Sequence, residues 1–264
     1  MGNVAKKARS VVVGVKPTGV KSDRGVPVQL MPKIRARLIE RFIFNFRLPI
    51  ELLGRQLPSW LAPQSIEGAS VGSFCVLDLD QVTFGPVPDE LGLRNINCAL
   101  RFGVIERETG TPAVYVTERN TNSRLGAFIT SLGFPGEHRL VEASITSDAS
   151  GSQIRVRDKE HALFSATVAR ESVLRSSVFR SLDEFSAFMA GGVRSYCPAK
   201  NPGCFNVVDL HKSDSTYEPL RVTDLTHDLF SESSGSSDAV QDSAVRTEHG
   251  RYVWEYVGQR NARK

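Results

Sequence analysis

The stretch NINCALRFGVIE, residues 95–106, decides the fold class because every second position in it is apolar. The apolar positions are Ile96, Cys98, Leu100, Phe102 and Val104, and they alternate with Asn97, Ala99, Arg101 and Gly103. Side chains of a β-strand point alternately to the two faces of its sheet. The pattern therefore predicts a strand with one buried face.

A second strand follows after a short turn. ERETGTP is rich in turn-forming residues, and AVYVTER, residues 113–119, supplies the return strand of a hairpin. If Ile105 lies opposite Ala113, one face is apolar and the other is polar, although a slip of one residue would reverse the faces. On this register the polar face holds Arg101, Tyr115, Thr117 and Arg119, with Arg101 opposite Thr117, Gly103 opposite Tyr115, and Arg119 near Ala99.

Further strands are predicted downstream. LVEASIT, SQIRVRD and HALFSATVA are separated by the short polar segments DASG and KE. Short connections of this kind favour a three-strand meander rather than parallel strands joined by helices. The sequence therefore predicts an α+β protein in which antiparallel sheet dominates.

Three segments are predicted to be helical. Ile34, Leu38, Phe42 and Phe46 recur at near-helical spacing, and this helix should end at Leu48, before Pro49. ELLGRQLP is predicted to be a short second helix. A third helix begins after Ser181, which has capping-box spacing to Glu184, and ends at Gly191.

The charge distribution separates the chain into three parts. Residues 1–41 carry ten Lys or Arg against Asp23 and Glu40, a balance of +8, which leaves −4 for the remainder of a chain with a net charge of +4. We expect a flexible basic arm over residues 1–30, one domain over 31–230, and a polar tail over 231–264 in which RYVWEYV could form a final strand. The arm has no interleaved aromatic residues, so nucleic acid is not an expected partner. No apolar run is long enough to span a membrane, and we expect a cytoplasmic protein.

Common catalytic and cofactor motifs are absent from the sequence. There is no GxSxG elbow, phosphate-binding loop or GxGxxG fingerprint, and Cys75, Cys98, Cys197 and Cys204 show no CxxC spacing. The histidines lack metal-ligand spacing. No metal site, no cofactor and no catalytic residue is therefore predicted.

FPGEHR, residues 134–139, places Glu137 beside His138 after a proline-glycine turn. A carboxylate can orient an imidazole for acid/base catalysis. Neighbouring residues on an extended strand point to opposite faces, however, which argues against a direct pair. We favour an exposed turn over an acid/base pair at this position.

The order of several segments resembles a bacterial family of the acetoacetate decarboxylase-like β-barrel superfamily. The matching segments are FIFNFRLPIELLGRQLP, IEGASVGSFCVLDLDQV, ALRFGV, GTPAVYV, EFSAFMAGGVRSYCP and VDLHKSD, which together span roughly residues 38–230. The resemblance implies a strongly bent, closed or nearly closed antiparallel barrel with a few helices packed outside.

The resemblance also identifies what the sequence lacks. Acetoacetate decarboxylases carry a Schiff-base lysine shortly after an aromatic-proline pair, but here Gly136 and Glu137 follow Phe134 and Pro135, and no lysine lies between Lys33 and Lys159. A glycine cannot form an imine, so Schiff-base decarboxylation is not expected. The His-Trp pair of the family is replaced by Asn45 and Phe46.

These observations predict a barrel that binds a small, anionic organic acid. The candidate ligand-binding residues are Arg101, Tyr115, Thr117, Arg119, Arg194 and Tyr196, and Arg101 and Arg119 would hold the carboxylate. Tyr196 could instead pack the third helix against the sheet, and we favour that interpretation. One alternative is a lysine-independent acid/base enzyme acting on an enol or keto acid through Glu118, Glu137 or Tyr115. Another is an interaction protein that acts through its basic arm.

Overall fold

The computed structural model describes residues 33–131, 135, 138–159, 161–213, 215–230 and 238–262. The predicted basic arm lies outside these described residues, as do Phe134, Gly136 and Glu137 of the FPGEHR segment. No helix among the described residues is both long enough and apolar enough to cross a membrane.

Strands make up most of the described chain. They are β1 (Ile34–Leu48), β2 (Leu61–Pro63), β3 (Ser65–Ile66), β4 (Ala69–Phe84), β5 (Leu93–Glu106), β6 (Pro112–Thr121), β7 (His138–Leu140), β8 (Glu142–Ser147), β9 (Ser152–Arg157), β10 (Ala162–Arg170), β11 (Arg194–Pro198), β12 (Cys204–Lys212), β13 (Glu218–His227) and β14 (Val240–Asn261). The helices are α1 (Ile50–Gly54), α2 (Arg124–Ser131) and α3 (Leu182–Gly191), with a short 3-10 helix at Asp89–Leu91.

Seven of the strands form a closed ring. The order β1-β4-β5-β6-β11-β12-β14 is continuous, and β14 pairs again with β1. All neighbours in the ring are antiparallel except β6 and β11, which are parallel. From β14 a second arm of the sheet continues through β13, β10, β9 and β8, so the whole is a strongly bent sheet rather than an even barrel. The α+β class, the dominance of antiparallel sheet and the meander β8-β9-β10 are confirmed.

The prediction of a helix from Ile34 to Leu48 is wrong, because this segment is strand β1. Its two faces pack into two different hydrophobic cores. Phe42, Phe44 and Phe46 contribute to the core beneath the second arm of the sheet, whereas Ile43 joins the core inside the ring. A strand that is apolar on both faces loses its two-residue alternation, and its apolar positions then mimic helical spacing by chance.

The β5–β6 hairpin is confirmed, but its predicted register holds for only one half. Ala99 lies opposite Arg119 as expected, whereas Arg101 lies opposite Val116 instead of Thr117. A β-bulge between Leu100 and Arg101 shifts the pairing by one residue, so that Phe102 rather than Gly103 faces Tyr115. The bulge turns Tyr115 to the apolar face.

Helix α3 is confirmed, together with its N-terminal cap. The Ser181 side chain accepts a hydrogen bond from the backbone N–H of Glu184, and the Glu184 carboxylate accepts one from the backbone N–H of Arg180. The helix lies close to the ring of strands. A Cβ atom at Gly103 on β5 would be 2.7 Å from the aromatic side chain of Phe188 on α3. Glycine at this position therefore allows α3 to pack directly on β5.

The predicted short helix is confirmed as α1, and the predicted final strand is longer than expected. It begins at Val240 rather than at Arg251 and forms β14, 22 residues in length. Residues 240–254 pair with β1, and residues 252–261 pair with β12. The structure thus places residues 240–250, which the sequence assigned to a polar tail, within the ring.

His227 is expected to make folding sensitive to acid. Its ring packs edge-on against Phe46 and Phe230, with centroid distances of 4.9 and 5.7 Å, and burial lowers the pKa of the imidazole more than nearby Asp228 raises it. A depressed folded-state pKa means that the unfolded chain binds the proton more readily. The contribution is present above the ordinary histidine pKa of about 6.5 and is lost as pH falls below it. We expect His227→Phe to reduce the fall in unfolding free energy between pH 7 and pH 5, as measured by urea titration.

The matched control is His161→Phe, at a side chain that is 70% exposed. It should leave the pH dependence of unfolding at the wild-type value. An unchanged pH dependence in His227→Phe would contradict the assignment.

Candidate functional site

The ring encloses a cavity of about 130 Å³, to which all seven of its strands contribute side chains. We call this the ring cavity. Its polar and sulfur-bearing lining residues are Arg41, Cys75, Asn97, Cys98, Arg101, Arg119, Asn120, His138 and Ser195. One water needs roughly 10–15 Å³ on this measure, so the ring cavity has room for one small organic molecule.

Two arginines flank Cys75 in the ring cavity. Arg41 comes from β1, Cys75 from β4 and Arg101 from β5, which are neighbouring strands. The Arg41 guanidinium donates a hydrogen bond to Cys75 Sγ at 3.3 Å, and Arg101 donates one to Met189 Sδ at 3.1 Å. Arg41 is only 4% exposed, and its Nε has no hydrogen-bond partner among the described residues. Sulfur is a weak acceptor, so both guanidiniums retain strong donor capacity.

A third arginine lies one strand further along. Arg119 on β6 pairs with Ala99 and donates a hydrogen bond to the Ser195 hydroxyl at 3.4 Å. His138, the first residue of β7, lies opposite Arg119 in a parallel pairing and also lines the ring cavity. The two arginines found by sequence reasoning, Arg101 and Arg119, therefore face the same space.

The lining of the ring cavity carries positive charge without a matching negative charge. Among the described residues it includes no Asp, Glu or Lys, and none of the three arginines forms an ion pair with a carboxylate. Uncompensated buried charge is costly, since its hydration is lost without an opposite charge nearby. An anion that entered the ring cavity would supply the missing partner.

The remaining wall of the ring cavity is apolar. Ile34, Leu77, Val114, Val116, Leu210 and Trp254 line it together with Tyr252. The Tyr252 hydroxyl is buried and has no hydrogen-bond partner among the described residues. The arrangement suits a ligand with an anionic end and a short apolar body.

Tyr115 and Thr117 do not line the ring cavity. Tyr115 packs in the core outside the ring, 6.2 Å from the ring of Phe205. The bulge after Leu100 shifts the register, so that Val114 and Val116 take the inward positions the sequence assigned to Tyr115 and Thr117.

Arg194 and Tyr196 serve other contacts. Arg194 makes a bidentate ion pair with Asp209, with distances of 2.8 and 2.7 Å. The buried Tyr196 hydroxyl donates to Glu106 at 2.6 Å, while its ring packs edge-on against Trp60. Burial and this bond raise the pKa of Tyr196. Tyr196 is therefore a packing residue, but it packs against Trp60 rather than against α3, whose buried residues lie in the other core. Ser195, between Arg194 and Tyr196, faces the ring cavity instead.

Three of the lining residues that sequence reasoning missed bear on the chemistry of the site, namely Arg41, Cys75 and His138. Arg41 lay in the segment assigned to a helix, and Cys75 lies in an uninterrupted apolar run of β4 whose two faces look alike. His138 was assigned to an exposed turn, but β7 aligns it beside β6 and brings it to the ring cavity. Had the segment been read as a strand, Arg41 would have been placed on the same face as Ile43, two residues away, and could have been found. Among the described residues, no group of His, Cys, Asp or Glu is arranged to hold a metal ion.

Comparison of the structure with solved structures identifies its fold class. An acetoacetate decarboxylase from Legionella pneumophila superimposes with a TM-score of 0.60 at 12% identity, covering 91% of this chain and 93% of that one. The enduracididine biosynthesis enzyme MppR in complex with pyruvate gives 0.58 at 14% identity over 93% and 94%. An acetoacetate decarboxylase-like enzyme from Sphingomonas wittichii gives 0.55 at 9% identity over 86% and 93%.

The chain therefore has the acetoacetate decarboxylase-like fold, as the resemblance implied. No family model and no curated protein matches the sequence. At these low identities the likeness concerns the path of the backbone, and the chemistry of the site has to be argued from the residues of this chain.

Proposed function

We propose that the ring cavity binds a small organic acid whose carboxylate is held by Arg41, Arg101 and Arg119. The observation that carries the proposal is the convergence of three guanidiniums on one cavity that contains no carboxylate among its described lining residues. Guanidinium groups bind carboxylates in a bidentate manner with strong, charge-assisted hydrogen bonds. The fold neighbour MppR, solved with pyruvate, makes 2-oxo acids the first class to test.

The apolar wall sets the expected size and shape of the ligand. Val114, Val116 and Leu77 would contact an aliphatic body of a few carbon atoms, and the volume of about 130 Å³ excludes large ligands. Each buried methylene group contributes about 0.8 kcal/mol to binding of this kind. We therefore favour short-chain 2-oxo and aliphatic monocarboxylates over polar polycarboxylates.

On the proposed function we do not expect Schiff-base decarboxylation. An imine needs an amine, and the described lining of the ring cavity contains no lysine. The FPGEHR segment, which resembles the segment that carries the lysine in the decarboxylases, contains no lysine either. This chain would therefore bind its acid by charge pairing rather than through a covalent imine.

The test is a thermal-shift screen of purified protein against pyruvate, acetoacetate and short aliphatic acids, each paired with its neutral amide. A ligand present at a hundredfold excess over its Kd stabilises the folded state by about 2.7 kcal/mol. For a protein of this size that is a rise in Tm of roughly 5 to 10 °C. We expect shifts with the acids and none with the amides. Equal shifts for an acid and its amide, or none for any acid, would contradict the proposal.

A second candidate function is acid/base catalysis on the bound acid, and His138 is the observation that favours it. Its imidazole lines the ring cavity next to Arg119, and histidine is the side chain most often used for proton transfer near neutral pH. If it acts on pyruvate, the methyl protons should exchange with deuterium in D₂O, as seen by proton NMR. His138→Gln should abolish that exchange without abolishing the thermal shift.

A further inference from the structure

We propose that Cys75 is a nucleophilic thiol that forms a covalent bond with small electrophilic anions entering the ring cavity. The inference rests on the proposed function in one respect, namely that the ring cavity admits small anions. It assigns a second activity to the same site. The class of ligand is a small carboxylic acid with an electrophilic carbon, such as an α,β-unsaturated acid.

The position of Cys75 supports this role. It lies on β4 between Arg41 on β1 and Arg101 on β5, and it lines the ring cavity. The Arg41 guanidinium donates to its Sγ at 3.3 Å. A carboxylate held by either arginine would therefore place its nearby carbon atoms close to the sulfur.

Arg41 provides an independent indication that a ligand belongs here. Only 4% of Arg41 is exposed, and its Nε has no hydrogen-bond partner among the described residues although Arg41 lines the ring cavity. A neutral thiol alone is a poor partner for a buried guanidinium. A thiolate in the free state, or an anionic ligand in the bound state, would satisfy it better.

The charges around Cys75 favour the reactive form of the thiol. Burial raises the pKa of Cys75, but the Arg101 and Arg41 guanidiniums and their hydrogen bonds together hold it below the usual cysteine value. The pKa of Cys98, on the neighbouring strand, is shifted in the opposite direction. Burial raises it, and among the described residues no arginine beside the thiol counteracts the burial. Because the thiolate is the nucleophile, the two thiols should differ in reactivity.

The covalent step balances without an oxidant. The Cys75 thiolate attacks the β-carbon of an α,β-unsaturated acid, and a carbon–sulfur bond forms as the π electron pair moves towards the carboxylate. The arginines stabilise the negative charge that develops there. The α-carbon then takes a proton from solvent, so that the net change is addition of the thiol across the double bond.

The experiment compares alkylation of the native full-length protein by iodoacetate, an anion, and by iodoacetamide, its neutral counterpart. In both reactions the sulfur attacks the carbon that bears iodine, and iodide leaves. Mass spectrometry of peptides gives the rate at each cysteine. Cys204, which is more exposed and lies outside the ring cavity lining, is the internal reference. We expect the iodoacetate-to-iodoacetamide rate ratio to be roughly tenfold or more higher at Cys75 than at Cys204, because a cationic cleft concentrates anions.

Two variants sharpen the test. Arg41→Met should lower the rate ratio at Cys75 towards that at Cys204, and Arg157→Met, at an exposed arginine outside the ring cavity lining, should leave it unchanged. Equal ratios at Cys75 and Cys204 in wild type, or labelling of Cys75 only in urea, would overturn the inference.

Its failure can be told apart from failure of the proposed function. If pyruvate stabilises the protein but Cys75 is not alkylated faster by iodoacetate, the binding function stands and the nucleophile assignment is wrong. If Cys75 shows the anion preference and no acid shifts the Tm, the nucleophile assignment stands alone.

Discussion

Arg101→Met is expected to weaken binding of a small carboxylate by about thirtyfold to a thousandfold while leaving the unliganded protein folded. Loss of one partner of a buried, hydrogen-bonded charge pair costs about 2–4 kcal/mol, and each 1.4 kcal/mol corresponds to a factor of ten in Kd. Methionine preserves much of the packing against Met189, which now accepts from Arg101. Isothermal titration with the acid that gives the largest thermal shift measures the change.

The same substitution should raise the Tm of the free protein. Arg101 has no carboxylate partner among the described residues, and burial lowers the pKa of its guanidinium, so the charged group is poorly solvated where it lies. Replacing such a charge by an apolar side chain of similar length removes that cost. Binding sites commonly reduce stability in this manner. A variant with lower Tm and unchanged Kd would contradict the role given to Arg101.

The matched control is Arg157→Met. Arg157 lies on β9, its side chain is 62% exposed, and its ion pair with Glu142 has a distance of 3.4 Å. Exposed pairs contribute about 0–1 kcal/mol, so neither the Kd nor the Tm should move appreciably.

Phe44→Ala is expected to lower the free energy of unfolding by about 3–5 kcal/mol, the usual range when a buried phenylalanine is truncated. Phe44 is fully buried on β1, and its ring centroid lies 4.8 Å from that of Phe164, which in turn lies 4.7 Å from Phe74. The stack joins the ring to the second arm of the sheet, so a void here removes contacts from both. Urea titration monitored by circular dichroism gives the value.

Leu91→Ala is the control for Phe44→Ala, since Leu91 is 70% exposed. Its expected effect is within about 0.5 kcal/mol. Phe44 points away from the face of β1 that carries Arg41 and Ile43, so the folded Phe44→Ala variant should bind acids with wild-type affinity at low temperature. A loss of unfolding free energy below 1 kcal/mol would mean that the core relaxes into the void.

The fold class was predictable because several strands bury one face only. Residues 95–106 alternate clearly in sequence, since one face packs in the core while the other meets the ring cavity. β1 was not predictable in this manner, since Phe42, Ile43 and Phe44 are all fully buried and leave no alternation. Pairing with β4 and β14, distant in sequence, decides its conformation.

Residues of the site could be predicted only in strands whose alternating pattern was visible in the sequence. Arg101 and Arg119 emerged as a pair because alternation placed them on one face, whereas the bulge after Leu100 misplaced Tyr115 and Thr117. A single extra residue in a hairpin leaves no clear mark in a sequence. Arg41 and His138 reach the ring cavity only through pairings that the sequence does not reveal.

Closure of the ring by β14 has a consequence for synthesis of the protein. Asn45 on β1 and Ser243 on β14 share a hydrogen bond, yet they are 198 positions apart in the chain. At typical rates of translation, about 5–20 residues per second, the edge of β1 waits roughly 10–40 s for its partner. During that interval an apolar strand with unsatisfied backbone groups is open to association with other nascent chains. Pairing with β4 covers one edge of β1 early, and we expect the other edge to stay open until β14 has been synthesised.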